Sequence, residues 1–434
     1  MFLYQLRLAL LSLKATPVLT GLITLGIAIG IASSMSAFTY YYNCSANPVA
    51  YKDSRLYSVR LNSWGPAKPY RPPNEPPFQL TFMDATELMK SNIPYRKTIM
   101  YKAQLYVSPP NRDQKPYSEL VRLTSRGFFN MFDVPFLHGG PWGTLQDEGP
   151  EEVVVIGRKT NDRLFSGANS LGKSLRIGER DYRVVGVIDH WNPLPKVYDL
   201  NNGGFSDSEQ IFIPFLFTEQ LRSWSAGNTN NWQSSPKRDF DELLTSERVW
   251  LQMWVELPDG PARFKEFIDH YTLQQKVLGR FPRVLNNRLD RPSVLLTENE
   301  VVNDDSMTSL LIGGLVLIAC ILNVLGLILG KFSSKAAQVG VRRALGASRV
   351  HVFCQHIMES VAIGLCGALL ALPLTFLGLI ALQSLYFIPA SLFRMDGWML
   401  LTLILLSIGA AVLAGLFPAW RVCNTPPAIY LKIQ

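Results

Sequence analysis

Four long apolar runs constrain this chain more than anything else in it. They are 17–42 (Pro17 to Tyr42), 307–330 (Met307 to Gly330), 355–383 (Gln355 to Gln383) and 398–418 (Trp398 to Pro418). Each meets the roughly 20 residues that a helix needs to cross a ~30 Å hydrocarbon core. Backbone groups in that core must be satisfied within the segment, so each run must be helical. The first run follows Arg7 and Lys14 without a small-x-small cleavage site and is long for a signal peptide, so it reads as a retained anchor. The expected architecture is an α-helical membrane protein with four transmembrane helices, one then three. A large mixed α+β extracytoplasmic domain, 43–306, is inserted between the first and second.

Charge sets the orientation. Segments 1–16, 331–352 and 419–434 hold Arg7, Lys14, Lys331, Lys335, Arg342, Arg343, Arg349, Arg421 and Lys432, with no Asp or Glu. Those nine cations exceed the whole-chain charge of +8, so the remainder carries −1. Lys and Arg resist translocation, which puts these segments and both termini in the cytoplasm. The basicity therefore reports topology and gives no support for nucleic-acid binding. Cys320, Cys354, Cys366 and Cys423 lie in or beside the later spans, and Cys44 at the outer edge of the first. With no cysteine pair, the external segment must hold together without disulfides.

Residues 1–16 set Leu3, Leu6, Leu10 and Leu13 at helical spacing opposite Arg7 and Lys14, which predicts an amphipathic helix on the inner membrane surface. Gly26 and Gly30 form a GxxxG pair suited to close helix packing, a weak signal for a dimer. Outside the membrane, the pattern predicts strands at 55–61, 98–107, 152–157, 211–217, 249–257 and 293–297. Thr81 with Asp84 three positions on predicts a helix start. Helices are expected at 158–165 and 262–278 and a hairpin at 174–188, giving at least one β-α-β unit. Loops cover the proline-rich 65–77, read as an extended connection, and the polar 221–240.

Residues 167–174, GANSLGKS, match the phosphate-loop pattern, but the flanking segments read as helix before and hairpin after. A phosphate loop requires strand, loop and helix in that order, so the match is rejected. His138, His190, His270, His351 and His356 form no HExxH, and no serine sits in GxSxG. His351 and His356, flanking the start of the third span, read as interfacial or snorkelling residues rather than ligands. No enzyme site is expected, and no cofactor is expected to be bound by this chain.

Between the second and third runs, segment 331–354 opens with KFSSKAAQVGVRRALGASR, Lys331 to Arg349. Its alanines and leucines favour a helix, and Gly346 supplies a stop. A short basic helix at the cytoplasmic foot of a bundle offers a handle for a cytosolic partner. The other reading is a solvated topogenic loop whose arginines contact lipid phosphates.

Several segments, in order, resemble the MacB/FtsX-like ABC transporter permeases. TLGIAIGIA (Thr24 to Ala32) is similar to the family's first span. VVVIGRKTNDRLFSGANSLGKSLRIGERDYRVVGVI (Val153 to Ile188) is similar to its external core domain. Asn323 fits the polar residue of its second span, and QVGVRRALGAS (Gln338 to Ser348) resembles its signature. GLFPAWRVCNTPPAIYL (Gly415 to Leu431) resembles its C-terminal end. Only loops 62–78 and 219–245 fall outside the resemblance.

The resemblance implies a dimeric, non-catalytic permease in the bacterial inner membrane, with 384–397 as a short external loop and 419–434 as a cytoplasmic tail. It implies an ABC ATPase docked on the cytoplasmic side, carrying ATP and Mg. No ATPase precedes the permease here, so a separate subunit is expected. Gln338, Val339, Gly340, Arg342, Arg343, Leu345 and Gly346 are the expected ATPase-coupling residues; Gly26, Gly30 and Asn323 are the expected packing residues within the membrane. Gln338 stands where the family's signature usually begins with Glu, which keeps hydrogen bonding but loses a charge. That departure leaves open a second copy or a paralogous permease as the dimer partner. The expected function is ATP-driven efflux or extraction of amphipathic substrates (peptides, macrolide-like compounds, siderophores or lipoproteins), with a periplasmic adaptor and an outer-membrane channel. The alternative is a signalling permease that activates a cell-wall hydrolase or a sensor kinase. The spans hold few ionisable groups, chiefly Glu359, so a polar translocation path is not expected.

Overall fold

In the computed structural model, the described residues are 12–13, 15–110, 115–149, 151–233, 239–299, 304–386, 393 and 395–424. The chain divides into an external unit, 46–301, and a helical unit formed by 1–45 and 302–434.

The external unit is built on one mixed sheet. Its strands are β1 (Leu56–Arg60), β2 (Arg96–Ser108), β3 (Tyr117–Thr124), β4 (Phe136–Gly139), β5 (Val153–Gly157), β6 (Ser174–Ile177), β7 (Arg180–Ile188), β8 (Ile211–Pro214), β9 (Gln252–Glu256) and β10 (Arg288–Asp290). Their order is β10-β1-β9-β2-β3-β8-β5-β7-β4, with β6 pairing β2 and β7. Helices α1 (Phe82–Leu88), α2 (Gly127–Met131), α3 (Arg158–Phe165), α4 (Phe240–Thr245), α5 (Ala262–Val277) and α6 (Pro292–Glu298) connect or cover it.

Both faces of the sheet are buried, because successive side chains point to opposite faces and each face meets its own core. In β5, Val154 and Ile156 join a core with Tyr57, Val59, Leu123 and Met253. Val153 and Val155 join another with Phe128, Phe212, Tyr198 and Trp254. That explains why VVVI, 153–156, is an unbroken apolar run. The β5–α3–β7 passage returns in parallel, with Val154 opposite Val184. The expected β-α-β unit is there.

Local chemistry fixes several boundaries. The Thr81 side chain accepts from Asp84 N and caps α1. Two expected strands differ. Residues 293–297 form α6, because Arg291 is extended and Pro292 takes the first helical turn, where its missing N–H costs nothing. The strand there is β10, just before it. Residues 211–217 are strand only to Pro214, after which Phe215–Phe217 turn as a 3-10 helix.

The proline-rich loop is also more than a connection. Arg60, fully buried in β1, donates to Pro76 O at 2.5 Å and Pro77 O at 3.3 Å and lies 4.0 Å from the centre of the Phe78 ring. The same guanidinium reaches Asp290 and Glu298, each at 2.7 Å. Arg288, opposite Arg60 in the β1–β10 pair, binds Glu75 and Glu298, and Asp290 at 2.9 Å.

Among the described residues, the helical unit has four helices long and apolar enough to cross a membrane. They are the first (Pro17–Ser45), second (Asp304–Ser334), third (Arg349–Tyr386) and fourth (Gly397–Asn424) span helices. A short foot helix, Ala336–Ala344, joins the second to the third. The predicted amphipathic helix falls almost wholly outside the described residues, as does 425–434.

Candidate functional site

The foot helix forms where expected. Ala336, Ala337 and Ala344 cost little side-chain entropy in a helix. It ends as Gly346 N reaches Arg343 O and Ala347 N reaches Arg342 O, both at 3.1 Å. Gly346 has φ +102°, a conformation that disfavours any side chain. Ser348 then starts the third span helix, its hydroxyl accepting from His351 N at 3.2 Å.

Helical geometry divides the expected coupling residues. Val339 and Gly340 are buried and, with Ala336, face the bundle. Gln338, Arg342, Leu345 and Gly346 are exposed, Leu345 at 83%. Arg343 is half-buried and donates to Cys423 O on the fourth span helix at 2.8 Å, which pins this end of the foot helix. Arg342 reaches Gln355 Oε1 at 3.2 Å. The outward face therefore combines Val341 and Leu345, both exposed, with Arg342; Val350, also exposed, lies in the first turn of the third span helix. Val341 escaped the sequence reading because its exposure depends on how the foot helix is turned.

Two basic residues are not where a solvated loop would put them. Lys331 has no exposed surface and pairs with Glu359 Oε1 at 2.8 Å. Lys335, one residue before the foot helix, stands 3.3 Å from the same oxygen. His356 is also buried, against Phe332 with ring centres 4.2 Å apart, and is therefore not an interfacial side chain. A lone acid inside a span calls for a partner. That is the one sequence signal for this pairing, and nothing local says which cation answers it.

Within the membrane, the small residues of the first span helix face the second. A Cβ on Gly30 would stand 2.7 Å from Cys320 Cβ, and one on Gly26 would stand 3.1 Å from Val324 Cγ2. This GxxxG face is taken up inside the chain, so it is not left open for a second copy. Asn323 lies elsewhere, exposed beside Leu322 and near Ile318. The structure does not bring it together with Gly26 and Gly30.

The phosphate-loop lookalike lies between α3 and β6, in helix–loop–strand order. Asn161 Nδ2 donates to Ala168 O, and Ser170 donates to Asn161 Oδ1, so the loop is closed on α3. Among the described residues no group of His, Cys, Asp and Glu side chains is placed to hold a metal ion.

Two families match this chain in succession. Residues 20–264 match the family described as MacB-like periplasmic core domain, and residues 310–427 match the FtsX-like permease C-terminal family. The macrolide export ATP-binding/permease protein MacB of Salmonella typhi is 23% identical over 429 residues, covering 97% of this chain. The protein of that name from Escherichia coli O157:H7 is 24% identical over 430 residues, with the same coverage. The chain spans 59% of the length of each of these relatives. Among solved structures, the periplasmic region of MacB from Actinobacillus actinomycetemcomitans aligns with a TM-score of 0.37 and 13% identity, covering 58% of this chain and 94% of that one.

Proposed function

Because the chain belongs to the MacB/FtsX-like ABC transporter permeases, we propose that it couples ATP hydrolysis by a separate ATPase subunit to motion of its periplasmic domain. It is a multi-pass inner-membrane protein and a non-catalytic subunit; ATP and Mg reside on the partner. The observation that carries this reading is the outward face of the foot helix. Val341 on the helix and Leu345 at its end leave apolar area exposed at the cytoplasmic foot, alongside the exposed Arg342. Exposed apolar area beside an arginine suits a surface that a partner covers, since arginine is enriched at protein interfaces and their buried centres are more apolar than the rest of the surface.

The work done by that motion is efflux or extraction of amphipathic substrates. Support comes from a cavity of about 470 Å³ among the first three span helices, lined by Ile29, Ser33, Ser36, Gly313, Val316 and Leu382. Most of these positions lie in the outer halves of their helices, given the cytoplasmic foot, with Ile29 near the middle of the first. The cavity is predominantly apolar with hydroxyls at hand, as sites for small amphipathic molecules are. A second permease, identical or paralogous, covers the exposed face of the second span helix, where Asn323 would otherwise leave an amide in lipid. In a double-membrane bacterium a periplasmic adaptor and an outer-membrane channel complete the path.

The test is affinity purification of the tagged chain in mild detergent, followed by mass spectrometry. An ABC ATPase together with an adaptor is the expected result. An ATPase with a cell-wall hydrolase or a sensor kinase would replace efflux with signalling. No ATPase at all would remove the reading of the foot helix.

A further inference from the structure

One carboxylate oxygen holds the cytoplasmic end of the helical unit together. Glu359, on the third span helix, is 4% exposed. Its Oε1 accepts from Ser12, on the segment before the first span helix, at 2.5 Å. The same atom takes Lys331, from the last turns of the second span helix, at 2.8 Å, and Lys335, at the head of the foot helix, at 3.3 Å. Lys331 also donates to Thr20 Oγ1 on the first span helix at 3.0 Å, and Lys335 also bonds Ser12. His356 Nδ1 stands 3.9 Å from the other oxygen of Glu359. Four pieces of chain thus meet on a single side chain: the N-terminal segment, the second and third span helices and, through Lys335, the foot helix. The first span helix joins through Lys331.

The two lysines do different things. Lys331 is fully buried and staples spans to each other. Lys335 is 20% exposed on its side chain and links the foot helix to that staple. At its other end the foot helix is pinned by Arg343 to the fourth span helix. The foot helix is continuous in sequence with the second and third span helices. To these backbone links its side chains add Arg343, to the fourth span helix, and Lys335, which reaches the Glu359 carboxylate where the first, second and third span helices meet. A lysine head on a flexible stem suits such a link, because it can shift by a fraction of an ångström without losing its partner.

We infer that Glu359 is the positioning residue of the coupling step, receiving displacement of the foot helix through Lys335 and passing it to three span helices through Lys331. The inference rests on the proposed docking of an ATPase at the foot helix. It separates docking, which uses the outward face, from transmission, which uses this buried carboxylate.

The experiment compares the wild-type chain with Lys335→Gln, Glu359→Gln and Glu359→Asp, each purified at full length with its ATPase. Recruitment is read by co-purification. Motion is read by hydrogen–deuterium exchange in peptides from the outer halves of the span helices and from the external unit, with and without ATP and vanadate. Lys335→Gln is the decisive variant, because it leaves the buried Lys331–Glu359 pair intact and is not expected to compromise folding. The expected result is wild-type recruitment in all variants, loss of the ATP-dependent exchange change in Lys335→Gln and Glu359→Gln, and its recovery in Glu359→Asp, which keeps the charge. A merely structural role for the cluster predicts no effect of Lys335→Gln, and that outcome overturns the inference. Loss of recruitment in Lys335→Gln also overturns it, by making the cluster part of the docking surface. A wild-type chain that recruits an ATPase but shows no ATP-dependent change overturns the inference and leaves docking standing. A wild-type chain that recruits none overturns both.

Discussion

The molecule holds two ionic joints built on opposite plans. In the external unit, Arg60 and Arg288 face Glu75, Asp290 and Glu298, so the carboxylates outnumber the cations. In the helical unit, Lys331 and Lys335 share the single carboxylate of Glu359. The guanidinium is planar and presents five donors, so Arg60 binds two carboxylates and two proline carbonyls from one fixed geometry. An ammonium is a point charge on a rotatable stem. The first arrangement clamps a loop to a sheet edge and leaves it little freedom. The second keeps its partners while letting them move. The placement fits the chemistry, since the rigid joint closes the β1–β10 pair and the adjustable one sits where the foot helix meets the spans.

The harshest way to break this contrast is Arg60→Met. Removing one side of a buried ion cluster leaves uncompensated charge and costs roughly 3–5 kcal/mol. Thermal unfolding of the full-length chain in detergent should show that loss; a change under about 1 kcal/mol would mean the clamp is not rigid.

Acid sharpens the external side of the comparison with another buried cluster. Glu209, fully buried, pairs with Arg122 at 2.8 Å and Lys196 at 3.1 Å. Burial pushes its carboxyl up, but Arg122 and Lys196 overcome this and hold it well below the usual carboxylate range. A carboxyl depressed on folding stabilises the native state above its unfolded pKa, and that stability is lost as pH falls through the folded value. The external unit should therefore lose stability on the acid side of the ordinary carboxylate range. Glu209→Gln should flatten that limb in an unfolding series, and an unchanged limb would assign it to other groups.

Smaller in stability is Lys335→Gln. A partly exposed pair contributes about 0–1 kcal/mol, so the midpoint of unfolding should barely move while ATP-driven motion is lost. That separation of stability from function is what an adjustable joint predicts and a clamp does not.

Smallest is Leu345→Asp combined with Arg342→Glu. Both side chains are exposed, so stability should stay within about 0.5 kcal/mol. Co-purification of the ATPase should nevertheless fail. This pair is a cleaner probe than one that includes Arg343, which also braces the fourth span helix.

Much of this was legible beforehand, for physical reasons that differ by element. The spans were visible because each must be apolar over its whole length, and the cap at Thr81 because Thr and Asp three apart act locally. The α3 helix and the β6–β7 hairpin carry their own turn signals. Residues 293–297 misled because a short apolar run fits strand and helix alike, and Pro292 decided for helix. Lys331 misled because its charge counts correctly toward topology yet says nothing of burial. Asn323 showed as polar, but which side of the second span helix it occupies depends on where the first packs.

Length, hydropathy, the placement of Lys and Arg and local propensity were enough to read four spans, an inserted α+β domain, cytoplasmic ends and a foot helix stopped at Gly346. Which charges meet was settled only by packing. Arg60 and Glu298 are joined across 238 residues and Ser12 and Glu359 across 347. No periodicity links such positions, because the pairing energy exists only once the packed helices and sheet have removed the water between them.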